Sequence, residues 1–171
     1  QGLAYNAGAL WVTGMFAGSG NLGGGSIVSQ GSSSVFLAKY DALTGAHLWS
    51  GAWGPSEEYF LTGHDTSNDV IAIGDRIIFG GTSLPEIDFG LGPHPGGPGS
   101  GSGNAGHGFL AAFDLDGTVL WSTVIDQGGV PLLTASVIDL SATASGDRID
   151  DIGNRLTAAI SKMRISRGEL K

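Results

Sequence analysis

Few residues in this 171-residue chain have types and spacings suited to chemistry. Asp114-Leu115-Asp116-Gly117 puts carboxylates on alternate residues, as at the start of a calcium loop, but no third Asp or Asn follows in step and no distant glutamate completes the set. An Asx-type turn between strands accounts for it better, since Asp41 heads a matching segment without a second acid. His47, His64, His94 and His107 form no short-spaced metal pair, and His94 and His107 fall in a Gly-Pro-Ser stretch that would lose much entropy on ordering around an ion. No metal site and no cofactor are therefore expected. His64-Asp65 has the composition of a proton-transfer pair and, with Trp53, is the candidate ligand-binding group. Glu57-Glu58 would serve as glycosidase carboxylates only beside a substrate cleft. No Gly-x-Ser-x-Gly elbow follows a strand, and the runs Gly18-Ser19-Gly20 and Gly23-Gly24-Gly25 precede neither Lys-Ser/Thr nor a helix, which excludes a phosphate loop. The expectation is a protein that is not an enzyme.

The tryptophans Trp11, Trp49, Trp53 and Trp121 remain, and two of them belong to a repeat. Phe36-Leu37-Ala38-Lys39-Tyr40-Asp41 runs through a turn carrying Gly45 to Leu48-Trp49-Ser50; Phe109-Leu110-Ala111-Ala112-Phe113-Asp114 runs through a turn carrying Gly117 to Leu120-Trp121-Ser122. Each copy reads as a hairpin of two strands. Trp49 and Trp121 at equivalent positions suit packing between sheets, as do Trp11, Phe36 and Phe109, whereas Trp53 stands outside the repeat and is the better candidate for an exposed platform on which a sugar ring could stack.

Leu3-Ala4-Tyr5 and Leu10-Trp11-Val12-Thr13-Gly14 supply two strands ahead of the first hairpin, joined by Asn6-Ala7-Gly8, where Asn and Gly provide the positive φ of a tight turn. Val70-Ile71-Ala72-Ile73 and Ile77-Ile78-Phe79-Gly80-Gly81 match them in the second half. Residues 17–34 and the glycine-proline stretch after Gly90 fill the same slot as long surface connections, with only this connection rewritten between the copies. The organisation expected is a first β unit over 1–53, a second over 54–125, a linker or strand over 126–145 that starts a third unit, and an amphipathic helix with its tail over 146–171.

A four-stranded sheet cannot bury both its faces alone, and stacking successive sheets face to face, closed into a ring, is the logic of a β-propeller. Trp11-Val12-Thr13-Gly14, Gly23-Gly24-Gly25 and Phe36 to Ser50, with Ile87-Asp88-Phe89-Gly90 and Phe109 to Ser122 in the second copy, resemble the bacterial β-propeller repeats known as SBBP repeats over about residues 2–125. Ala112-Phe113 departs from the Lys-Tyr of that pattern. Asp41-Ala42-Leu43-Thr44-Gly45-Ala46-His47-Leu48-Trp49 is also similar to the docking motif of quinoprotein propellers, a packing device. The resemblance implies a mainly β fold of two four-stranded antiparallel propeller-type units, a partial propeller, because two blades fall short of the about four to eight that close a ring.

Near the C-terminus, Gly146-Asp147-Arg148-Ile149 repeats Gly74-Asp75-Arg76-Ile77 as though a third unit began. Ile149, Ile152, Leu156, Ala159, Ile160 and Met163 then follow three and four apart, which predicts a helix; a third β unit is the alternative. Ile149, Ile152, Leu156, Ile160 and Met163 form a narrow stripe suited to packing on the chain's own domain or to oligomerisation.

Charge narrows the partners. Residues 1–146 hold only Lys39 and Arg76 against twelve acids, while residues 147–171 hold six bases and four acids. So acidic a body repels nucleic acid and anionic membranes, and no apolar run approaches a membrane span. The absence of cysteine excludes disulfides. Gln1 is no initiator and no signal peptide precedes the first strand, so a processed or excised product is expected. The leading expectation is an extracellular or cell-surface bacterial structural or adhesive module that self-associates or joins a missing upstream part. A carbohydrate-binding module with a glycan partner and a fragment of a propeller enzyme are the alternatives.

Overall fold

The computed structural model describes residues 1–54, 66–83, 87–94 and 107–125. The expected helix over 146–171 and the expected strand or linker over 126–145 lie outside these residues. The chain divides into Gln1–Leu140 and Ser141–Lys171, and every element below belongs to the first of these units.

The described residues are mainly β. β1 (Gly2–Asn6) and β2 (Ala9–Phe16) form a hairpin, β5 (Ser34–Asp41) pairs with β2, and β6 (His47–Trp53) closes an antiparallel sheet of order β1-β2-β5-β6. The second sheet runs β7 (Thr66–Ile73), β8 (Arg76–Ser83), β9 (His107–Asp114) and β10 (Val119–Ile125), with order β10-β9-β8-β7. Between β2 and β5 a ribbon of β3 (Ser19–Asn21) and β4 (Ser26–Val28) adds two short strands where a strandless connection was expected.

The repeat extends to register. Leu10 faces Tyr40 in the first sheet as Ile77 faces Phe113 in the second, and Gly14 faces Phe36 as Gly81 faces Phe109. Both last hairpins carry a bulge at the same place: Leu48 is skipped between His47 and Trp49, and Leu120 between Val119 and Trp121. The extra residue turns each tryptophan onto the face opposite to the one unbroken alternation would give. The long connections share a loop as well, so they are less rewritten than their composition implies. Asn21 Oδ1 accepts from the amides of Gly23 (2.7 Å) and Gly25 (3.3 Å), and Asp88 Oδ1 from those of Gly90 (2.7 Å) and Gly92 (3.0 Å). All four glycines take positive φ, which the loop requires.

The β1–β2 turn departs from its expected chemistry. The positive φ values fall on Ala7 (47°) and Gly8 (81°), and Asn6 instead reaches across to donate Nδ2 to Gly74 O at 2.8 Å. Two successive positive φ values make a type I′ turn, in which Asn or Gly is favoured at the first position and alanine is strained by about 1–2 kcal/mol. Ala7→Asn should therefore raise stability by about 1 kcal/mol; a urea midpoint unchanged or lowered would contradict this.

One face of each sheet is buried against the other. The first sheet contributes Ala9, Trp11, Val35 and Leu37, and the second Val70, Ile77, Phe79, Phe109, Ala111 and Phe113, with Ile87 and Phe89 from the connection. Backbones meet closely where β1 crosses β7: a Cβ on Gly2 would lie 2.6 Å from Val70 N. Thr13 Oγ1 donates to Phe36 O at 2.7 Å, so in its hydrogen bond with the Ser67 hydroxyl it is the acceptor.

Candidate functional site

The feature in which the described chemistry concentrates is the aromatic seam between the sheets. Trp11, Lys39, Trp49 and Trp53 share one face of the first sheet because Trp11 pairs with Lys39, Lys39 with Trp49, and Val35 with Trp53. Trp49 leans on Phe113 with ring centroids 6.1 Å apart, and a Cβ on Gly117 would come within 2.6 Å of Trp49 Nε1. Trp53 sits among Phe79 (5.8 Å), Phe89 (5.5 Å) and Phe113 (5.1 Å). Offset and tilted rings at these separations add about 0.5–1.5 kcal/mol per pair beyond the burial of their area. Lys39, one of two bases in residues 1–146, is spent inside this seam. Its Nζ lies 5.4 Å from the Trp11 ring centre and donates to Leu115 O at 2.6 Å.

The stacking has a direction. Leu37, Lys39 and Trp49 of the first sheet correspond to Leu110, Ala112 and Trp121 of the second, yet they pack on the face that bears Phe109, Ala111 and Phe113, the counterparts of Phe36, Ala38 and Tyr40. One kind of face thus covers the other kind. The five residues expected in inter-sheet packing divide between the two kinds of face. Trp11, Trp49 and Phe109 lie in the seam, but Phe36 is on the outer face of the first sheet, half-buried with its ring 6.4 Å from Phe16, and Trp121 is on the face of the second sheet turned away from the first. A head-to-tail stack of two units always leaves one face of each kind outside.

The same geometry explains the Tyr-to-Phe difference. Tyr40 keeps its hydroxyl because it donates to Leu22 O at 2.8 Å on the outer face, where partial burial raises its pKa. Phe113 lies under the tryptophans, where a hydroxyl would need a partner.

Trp53, the expected exposed platform, belongs to the seam instead. Its place outside the repeat concealed that it lies four residues beyond Trp49 on the same strand face. His64 and Asp65, like Ile149, Ile152, Leu156, Ile160 and Met163, lie outside the described residues. Asp41 and Asp114 work as turn caps. Asp41 Oδ1 accepts from the Thr44 hydroxyl (2.7 Å) and the amides of Thr44 (2.7 Å) and Leu43 (3.1 Å); Asp114 Oδ1 accepts from the amides of Thr118 (2.8 Å) and Asp116 (2.9 Å). These bonds, led by the Thr44 hydroxyl at Asp41 and the Thr118 amide at Asp114, hold both carboxyls below their ordinary range.

Two histidine-serine pairs were not legible in the sequence. His47 Nε2 is 3.0 Å from Ser50 Oγ, and His94 Nε2 is 2.7 Å from Ser122 Oγ. The serines are equivalent, but one histidine comes from the start of β6 and the other from the long connection, so no common spacing signals them. Among the described residues no three His, Cys, Asp or Glu side chains gather as metal ligands, and no helix is long and apolar enough to cross a membrane. No protein-family model matches the chain, and a search of curated proteins finds no match.

Proposed function

We propose that the chain is a non-enzymatic structural assembly module built of propeller-type units. The observation that carries this reading is the head-to-tail stacking of two sheets with the same internal register. Had like faces met, the pair would be self-complementary and complete. Unlike faces meeting give a heterologous contact, which extends by adding further units until a ring closes. The two four-stranded sheets among the described residues fall short of a ring, so on this reading further blades come from other copies or from further chain. The resemblance to bacterial β-propeller repeats supports an adhesive role outside the cell or on its surface.

The test is the mass of the chain in solution, by sedimentation velocity from low micromolar to near-millimolar concentration. A weight-average mass that climbs with concentration is expected. A mass of one chain throughout would refute the module as a self-assembling unit.

A further inference from the structure

We infer that the outer face of the first sheet is a seat for a second copy of this chain, whose second sheet brings Trp121 against Tyr40 and Gly45; this rests on the assembly reading above.

The chain contains a filled version of the seat. In the second sheet, Val70, Phe79 and Phe113 are covered by the first sheet, Phe109 is buried beside Phe79 and the connection's Phe89, and the Gly117 turn receives the Trp49 indole. Their counterparts in the first sheet are Leu3, Val12, Phe36, Tyr40 and the Gly45 turn. Val70 is 2% exposed and its counterpart Leu3 64%; Phe109 is fully buried and its counterpart Phe36 half-buried. A Cβ built on Gly45 meets nothing within 4 Å, where one on Gly117 meets Trp49. The covering group also recurs. Trp121 stands opposite Ala112 beyond the same bulge that sets Trp49 opposite Lys39, on the face directed away from the first sheet.

Charge and area argue for the same occupant. The only charged residues in the four strands of the first sheet, Lys39 and Asp41, both lie on its seam face, since Trp11 pairs with Lys39 and Ala9 with Asp41. Its outer face carries Leu3, Val12 and Phe36 with no Lys, Arg, Asp or Glu, beside the polar Ser34, Tyr40, His47 and Ser50, and the chain's own connection lies on part of it: Tyr40 donates to Leu22 O at 2.8 Å, and a Cβ on Gly23 or Gly24 would meet His47. Strands of five to eight residues, about 4.8 Å apart and rising about 3.3 Å per residue, make a face on the order of 400 Å². Less the part that Leu22, Gly23 and Gly24 already cover, that is under half of what each partner buries in a stable complex, so a reversible contact of micromolar or weaker affinity is expected.

Single-cysteine variants of the full chain test the contact against a background without native cysteine. Asn6 reaches the Gly74 turn within the chain, and the counterparts of these positions are Ile73 and Ala7. Mixed Ile73→Cys and Ala7→Cys chains should therefore form the 7–73 disulfide in preference to 7–7 and 73–73. Leu3→Glu, at an exposed site, should weaken association at least about tenfold with the unfolding midpoint of the dilute chain unchanged. Association that survives Leu3→Glu undiminished, or cross-links dominated by 7–7, would overturn this seat while leaving the assembly reading intact. A native chain that stays single at every concentration would overturn this seat together with the module as a self-assembling unit.

Discussion

Gly117→Ala is expected to destabilise the chain by about 2–5 kcal/mol, and Gly45→Ala by only about 1–2 kcal/mol in dilute solution. The two glycines occupy equivalent turns with φ of 88° and 71°, so both substitutions incur the left-handed penalty of a residue with a Cβ. Only Gly117 also faces the indole of Trp49, which would have to move to admit a methyl group. Trp49 in turn is held against Trp11, Trp53 and Phe113, leaving little room to retreat. Urea unfolding of the two variants at low concentration reads the difference directly. Equal losses would mean that the Trp49 seat contributes nothing to the union of the sheets.

The second large effect separates another equivalent pair. Phe109→Ala should cost about 3–5 kcal/mol, the range for truncating a buried aromatic that leaves a cavity. Its ring is fully buried between Phe79 at 5.4 Å and Phe89 at 5.1 Å, so the void cannot fill with water or collapse easily. Phe36→Ala removes the same side chain from the same strand position, but from a half-buried site on the outer face, and should cost about 1–2 kcal/mol in the dilute chain. Thermal unfolding at low concentration checks the ranking, and a Phe36 loss as large as that at Phe109 would contradict it. If a second copy covers the outer face, the Phe36 and Gly45 penalties should grow as concentration rises, while those at Phe109 and Gly117 should not.

Much of the β architecture was legible because the repeat is written in side chains that strands require. Phe36 and Phe109, Trp49 and Trp121, and the turns headed by Asp41 and Asp114 aligned the last two strands of each sheet. Leu10 and Ile77 aligned the inner pair. The shared Asx loop at Asn21 and Asp88 escaped notice because only Gly-x-Gly follows each acceptor residue after one intervening apolar position, a weak signal inside glycine-rich connections. The type I′ turn at Ala7-Gly8 escaped for the opposite reason: Asn6 is the residue type that attracts the assignment, while its side chain serves the neighbouring sheet.

By itself the sequence determined the four principal strands of each unit, their hairpins and the equivalence of the two units, since these follow from local periodicity, turn residues and a recurring spacing; the β3–β4 ribbon did not follow from it. Which face of one sheet meets which face of the other was decided only in the tertiary structure. Ser34 to Asp41 puts both its charges, Lys39 and Asp41, on the face that becomes the seam, and His107 to Asp114 is largely apolar on both sides, so alternation marks no reliable inside face, and a single bulged residue sets where each tryptophan points. Residues with the same place in the repeat therefore end in different surroundings: Trp49 in a filled seam and Trp121 on an outward face, Phe109 in the core and Phe36 half-buried on the outer face of the first sheet.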